Sequence, residues 1–125
     1  MRLLLDTHAL IWAYGERSRL RAETLAAIED AENDVAVSAA TGWEIETKRR
    51  RKALDVPGDL VEALAISHFK PLAISLEHAI AAAKLPLHHR DPFDRLLIAQ
   101  AAIEGMTIVT RDPKIARYQV AILPA

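Results

Sequence analysis

The sequence predicts an α/β domain in which a short, mostly parallel central sheet is flanked by helices. Two observations carry that prediction. Five short apolar runs, at 3–5, 35–37, 72–74, 107–109 and 120–123, are continuous rather than alternating, the pattern of strands covered on both faces. Between them lie segments whose apolar residues recur at helical spacing and whose ends carry capping residues.

The first strand, 3–5, stops on Asp6 and Thr7, where Asp6 can cap a following helix. "LRAETLAAIEDAEN" reads as a surface helix, and after the second strand Ser38 can cap a helix in "SAATGWEIETKRRRKAL", weakened at Gly42. In "DLVEALAISHF", Leu60, Val61, Leu64, Ala65 and His68 fall on one stripe. Ser75 starts the next helix and Pro86 stops it. Asp91, Pro92 and Gly105 then bracket "DPFDRLLIAQAAIEG", which is apolar from Leu96 to Ile103 except at Gln100 and is therefore expected at the centre. Asp112 can cap "PKIARY" before the last strand.

The length of 125 residues suits a single domain over 1–125, and 51% apolar with 26% charged residues fits a folded chain. The absence of cysteine excludes disulfides, thiolate nucleophiles, zinc–thiolate sites and iron–sulfur clusters. No apolar run approaches the roughly 20 residues of a membrane span, and the first residues lack a signal-peptide pattern, so a cytoplasmic protein is expected. A net charge of −1 gives no global pull toward nucleic acid.

Polar residues gather at one edge of this plan. Asp6 follows the first strand, Ser38 the second, and Thr110 to Asp112 the fourth, while Asp94 lies in the first turn of the central helix. In open parallel sheets that edge holds the ligand crevice. Each acid also has an ordinary structural use: Asp6, Asp91 and Asp112 as caps, Asp94 beside a helix dipole, and Glu44 in an ion pair with Lys48 one turn on. Such uses do not explain why the acids converge. Crowded carboxylates raise one another's pKa unless a cation neutralises them, and a cysteine-free, oxygen-rich cluster suits Mg²⁺ or Mn²⁺.

The blocks "LLLDTH", "VSAATGWEI", "DPFDRLLIAQA" and "TIVTRD" resemble, in order and across nearly the whole chain, the signature blocks of the PIN-domain ribonucleases, and most of all the VapC-type toxins of type II toxin–antitoxin systems. The resemblance implies a PIN-like three-layer sandwich. It also implies that Asp6, Glu44, Asp94 and Asp112 are the catalytic acids and the ligands of one or two Mg²⁺ or Mn²⁺ ions. Asp6 and Asp94 would bind directly, Glu44 directly or through water, and Asp112 at a second metal or the outer shell. Thr7, Ser38 and Thr110 would be supporting hydroxyls, and Asp91 a helix cap within reach of the site. The implied activity is metal-assisted hydrolysis of RNA, leaving 5′-phosphate and 3′-hydroxyl ends. The implied partners are the RNA, a cognate antitoxin whose arginine suits the acidic pocket, and a second copy of the chain.

Glu46, two positions from Glu44, is expected on the opposite face of its helix. The run "KRRRK" at 48–52 reads as a solvated helix end or as a phosphate contact through Lys48, Arg49 and Arg50. Arg90, Arg95 and Arg111 adjoin the acid blocks and can contact substrate phosphates or balance the carboxylates. His88 and His89 read as surface-loop histidines, His8 as a weaker ligand than the carboxylates, and Trp12 and Trp43 as packing residues. Two rivals to the nuclease reading are a catalytically inactive PIN-like binding module and a receiver-like phospho-acceptor pocket. The receiver normally wants paired acids after the first strand and a lysine after the last, whereas this chain has Asp6 alone and ends in "VAILPA".

Overall fold

The computed structural model describes residues 1–125. Its elements run β1 (Arg2–Leu5), α1 (Thr7–Gly15), α2 (Ala22–Glu29), β2 (Asp34–Ser38), α3 (Ala39–Arg49), α4 (Leu60–Ile66), β3 (Lys70–Leu72), α5 (Leu76–Lys84), α6 (Pro92–Glu104), β4 (Thr107–Thr110) and β5 (Ala121–Pro124), with single 3₁₀ turns at Arg17–Arg19 and Ile115–Arg117. The five strands form one parallel sheet in the order β3-β2-β1-β4-β5.

The central position of β1 follows from its sequence. Leu3, Leu4 and Leu5 are all fully buried, because consecutive strand residues point to opposite faces and both faces are covered. Leu3 and Leu5 join a core with Ala9 and Leu10 of α1, Ile28 of α2, Ile45 of α3 and Leu64 of α4. Leu4 faces the other way, onto Leu97, Ile98 and Ala101 of α6, and α5 packs on α6 beyond them. The result is the expected helix–sheet–helix sandwich.

The chain builds β1, β2 and β3 outward in one direction, then returns to place β4 on the other side of β1. The strand order therefore reverses between β1 and β4, the topological switch point at which parallel sheets open a crevice beyond their carboxyl ends.

Several boundaries differ from expectation. The third strand is Lys70–Leu72, two residues early, because Ala36, Val37 and Ser38 of β2 take Lys70, Pro71 and Leu72 as partners and Lys70 reaches Asp34 at 2.9 Å. Pro71 is tolerated because β3 is an edge strand. The last strand is Ala121–Pro124, one residue late, in register with Thr107–Thr110. The helix after Ser38 stops at Arg49, short of the expected end at 54; Arg49 turns onto the carbonyls of Val56 and Pro57. In α4 the inward stripe is Leu60, Ala63 and Leu64, while Val61, Ala65 and His68 are exposed. The "PKIARY" helix reduces to the single turn at Ile115–Arg117.

α6 is central as expected: Leu97 through Ala101 are buried, including Gln100, whose amide donates to the carbonyl of Ala73 at 3.3 Å. It ends on Gly105, whose φ of 65° is left-handed and whose N–H closes the last turn onto Ala101. A β-carbon there meets no neighbour but strains the backbone. Gly105→Ala is expected to lower the unfolding free energy by about 1–2 kcal/mol in urea titration. Gly58→Ala, also in open space but with no positive φ, should stay near wild type.

Candidate active site

The crevice at the switch point is a cleft of about 920 Å³ whose lining includes Asp6, Glu44, Asp91, Asp94 and Asp112. Asp91 and Asp94 arrive there together at the start of α6, and the other three on separate elements.

Asp6, at the end of β1, is 6% exposed and serves as the N-cap of α1. Its Oδ1 accepts the Ala9 N–H at 2.8 Å and its Oδ2 accepts the Thr110 hydroxyl at 2.5 Å. Capping and site membership are thus roles of one carboxylate. Burial pushes its pKa up; the hydrogen bonds from Thr110 and Ala9 oppose this without overcoming it. Next to it, Thr7 donates to Glu44 Oε1 at 2.5 Å, and Glu44 Oε2 pairs with Lys48 at 3.2 Å.

Asp91 caps α6, its Oδ1 accepting the N–H groups of Phe93 at 2.8 Å and Asp94 at 3.3 Å, while still lining the cleft. Asp94 sits one turn in. Its pKa is raised to about 7, first by burial, then by the charge of Asp91, with Asp6 and Glu44 adding to it. Asp112, beyond β4, receives the Lys114 N–H on Oδ1 at 2.8 Å and contacts the His89 ring through Oδ2 at 2.9 Å.

The expected supporting residues divide. Thr7 and Thr110 hold acids directly, whereas Ser38 is buried under α3 as its cap, accepting the Ala40 N–H at 3.0 Å and bonding no carboxylate.

The expected phosphate contacts divide too. Lys48 and Arg111 line the cleft, Lys48 paired with Glu44 and Arg111 donating to the carbonyls of Ala125 and Arg19, and Arg50 is exposed at the end of α3. Arg49 is occupied by Glu46 and by the carbonyls of Val56 and Pro57. Arg95 points away from the acids and spends its guanidinium on the carbonyls of Ala82, Leu85, Pro86 and His89, at 2.8–3.1 Å. It is the strap that ties α6 to the end of α5, where unpaired helix carbonyls offer acceptors.

The surface reading of His89 is overturned: it is 8% exposed and lines the cleft between Asp94 and Asp112. His88, its neighbour, stacks edge-on against Tyr118. Lys52, the last residue of the KRRRK run, lines the cleft, and so does Arg19, which nothing in the sequence marks. Arg19 and Arg111 both lie over the Trp12 ring, at 4.8 and 4.5 Å. Trp12 packs in the core as expected, but Trp43 is 68% exposed and packs T-shaped with Phe93.

The donor set fits a hard divalent cation. Five carboxylates line one cleft, Asp6 and Asp94 are driven toward their protonated forms chiefly by burial, and Asp94 Oδ1 has no hydrogen-bond partner. These residues would hold such an ion through oxygen.

A sequence profile of the PIN domain matches residues 3–121. The chain belongs to the PIN-domain family. It is similar to Ribonuclease VapC22 of Mycobacterium tuberculosis, 33% identical over 122 residues that cover 94% of this chain and 92% of that protein. Among solved structures, VapBC2 from Rickettsia felis bound to a DNA fragment from its promoter superposes with a TM-score of 0.76 at 16% identity, covering 98% of each chain. DNA-bound VapBC from Salmonella typhimurium gives 0.71 at 16%, with 98% and 97% covered. A toxin–antitoxin complex from Klebsiella pneumoniae gives 0.67 at 22%, with 98% and 96% covered. These neighbours share the PIN fold, and the receiver-like rival falls.

The raised pKa of Asp94 has a sign that can be measured. The folded carboxyl keeps its proton after the unfolded one, at 3.8, has lost it. Its stabilising contribution is therefore full below 3.8 and is lost as pH climbs through about 7. In metal-free protein the thermal midpoint should decline over that window, more steeply than in Asp94→Asn, and Mn²⁺ added at neutral pH should restore it. Parallel profiles for the two proteins would contradict this.

Proposed function

We propose that this PIN domain, spanning 1–125, is a metal-dependent endoribonuclease and the toxin of a toxin–antitoxin module. The observation that carries the proposal is the convergence of Asp6, Glu44, Asp94 and Asp112 on the switch-point cleft of a PIN fold. Its similarity to a ribonuclease along nearly the whole of both chains supports the same reading.

In this proposal Asp6 and Asp94 hold one or two Mg²⁺ or Mn²⁺ ions with Glu44 and Asp112. When bound, such a cation activates water for in-line attack at phosphorus and neutralises charge on the departing oxygen. The chain's own groups do the rest. Thr110 and the Ala9 N–H fix both oxygens of Asp6. Thr7 fixes Glu44, and Lys48 offsets its charge. Arg19 and Lys52 give the acidic cleft a basic margin that can seat RNA phosphates, beside Arg111, which the carbonyls of Ala125 and Arg19 hold in place. Water delivers its oxygen to phosphorus and a proton to the leaving 3′ oxygen, so the products carry 5′-phosphate and 3′-hydroxyl ends.

The structural neighbours from Rickettsia, Salmonella and Klebsiella are toxin–antitoxin assemblies, which supports a cognate antitoxin as partner here. An antitoxin arginine would pair with the pocket carboxylates through charge-assisted hydrogen bonds. Homodimerisation belongs to the same proposal. No helix is long and apolar enough to cross a membrane, and a cytoplasmic location is proposed with the rest.

Antitoxin-free protein should cut single-stranded RNA with Mn²⁺ or Mg²⁺, not with EDTA, leaving 5′-phosphates. Asp6→Asn and Asp94→Asn, checked for folding, should each lose about 100-fold or more in rate. A folded wild type that cuts nothing, or variants that cut equally well, would transfer support to the inactive binding module. Lys52→Ala should raise KM with little change in kcat and reduce the slope of log affinity against log salt by about 1; an unchanged slope removes Lys52 from the RNA path.

A further inference from the structure

Of the two adjacent histidines before α6, one is held with unusual care. The His89 N–H donates to the Tyr118 hydroxyl at 2.9 Å, and that hydroxyl donates in turn to the Pro86 carbonyl at 2.5 Å. The His89 carbonyl accepts from Arg95 at 3.1 Å. The backbone is therefore pinned on both sides, by a tyrosine from beyond the 3₁₀ turn and by the arginine that straps α6 to α5.

The ring nitrogens have opposite tasks. The Asp91 N–H donates to Nδ1 at 3.2 Å, so Nδ1 is an acceptor and carries no proton. A neutral imidazole has one N–H, and the bond made by one nitrogen decides the state of the other. The proton is therefore on Nε2. That atom hydrogen-bonds Asp112 Oδ2 at 2.9 Å and lies 2.9 Å from Asp94 Oδ2. The three groups stand within 4.8 Å of one another, a spacing that would also suit a His–Asp–Asp metal trio. For Nε2 to give a lone pair to an ion, however, the ring proton would have to sit on Nδ1, where the Asp91 N–H already points.

We propose that His89 is a positioning residue and not a metal ligand: its Nε2–H donates to Asp112 while the same nitrogen abuts Asp94 Oδ2, which fixes the gap between the two acids and leaves the cation to carboxylate oxygens. The proposal rests on the metal-dependent reading of this site. Asp94 lines the cleft, and its Oδ1, which has no hydrogen-bond partner, is the oxygen this arrangement leaves uncommitted. Because His89 clasps one acid from α6 and one from beyond β4, it couples the two elements that flank the switch point from the far side. A ligand set of oxygen alone also suits Mg²⁺ and Mn²⁺ better than the imidazole-seeking later metals.

The test uses the full chain, free of antitoxin. Nitrogen NMR of the histidine rings in metal-free protein should show His89 as the Nε2–H tautomer, and the same tautomer should persist at saturating Mg²⁺. With Mn²⁺ as the probe, pulsed EPR should show no directly bound imidazole nitrogen. His89→Leu, confirmed folded by circular dichroism, should lose roughly 10–100-fold in Mn²⁺ affinity, and His89→Gln, whose amide N–H reaches the same place, should recover most of it. An Nδ1–H tautomer, a nitrogen coupling to bound Mn²⁺, unchanged affinity in a folded Leu variant, or a Gln variant as weak as Leu each overturns the proposal. Should the Leu variant fail to fold, the wild-type tautomer and the Gln affinity still decide. A wild type that binds no Mn²⁺ brings down the metal-dependent reading and this role together, whereas normal wild-type binding with any of the contrary results above brings down the role alone.

Discussion

Everything in this molecule is arranged around a carboxylate carried to the end of its most buried strand. Asp6 leaves a fully enclosed run of three leucines and has water on almost none of its surface. A buried charge needs compensation, and the protein supplies only part of it, through one hydroxyl and one backbone N–H. His8 adds a smaller favourable contribution, and Asp112 makes ionisation harder, so burial still prevails. A fold that places like charges together in a half-dry cleft gives up native-state stability there, and a divalent cation is the simplest species that recovers it.

The scaffold makes that concentration possible by assigning each acid to a different rigid element. Asp6 is fixed to β1, Glu44 to α3, Asp94 to α6 and Asp112 to the exit from β4. Their oxygens are aimed by short-range partners: Thr7 for Glu44, Thr110 for Asp6, His89 for Asp112. Arg95 and Tyr118, neither of which touches an acid, hold the loop that carries His89.

Much of this was legible in the sequence because it is written in local pattern. The continuous runs at 3–5, 35–37 and 107–109 find their strands since burial on both faces forbids alternation, and Ser75, Asp91 and Gly105 mark helix ends through backbone chemistry that needs no tertiary partner. What escaped was decided by packing. Lys70–Leu72 became the edge strand through pairing with β2 and a contact to Asp34, neither visible in a run of three residues. Val61 and Ala65 fit a helical stripe as well as Ala63 does, and only the neighbouring layer chose between them. His88 and His89 are chemically identical in the sequence, and a one-residue difference in direction sent one to Tyr118 and the other to the acids. Arg95 looked like a phosphate contact because it adjoins Asp94, yet a position one along a helix turns by about 100°, which carried it to the end of α5.

The strap made by Arg95 has a wider consequence. Glu44 is anchored in the layer packed on Leu3 and Leu5, whereas Asp94 is anchored in the opposite layer, whose helix is lashed by Arg95 to carbonyls at the end of α5 and in the segment that follows it. The four acids meet only when both layers are seated on the sheet, so a fragment that loses either layer loses the pocket as well. A protease that clips the exposed residues just before His89 would cut the very segment that Arg95 grips, disarming the protein without touching one of its carboxylates.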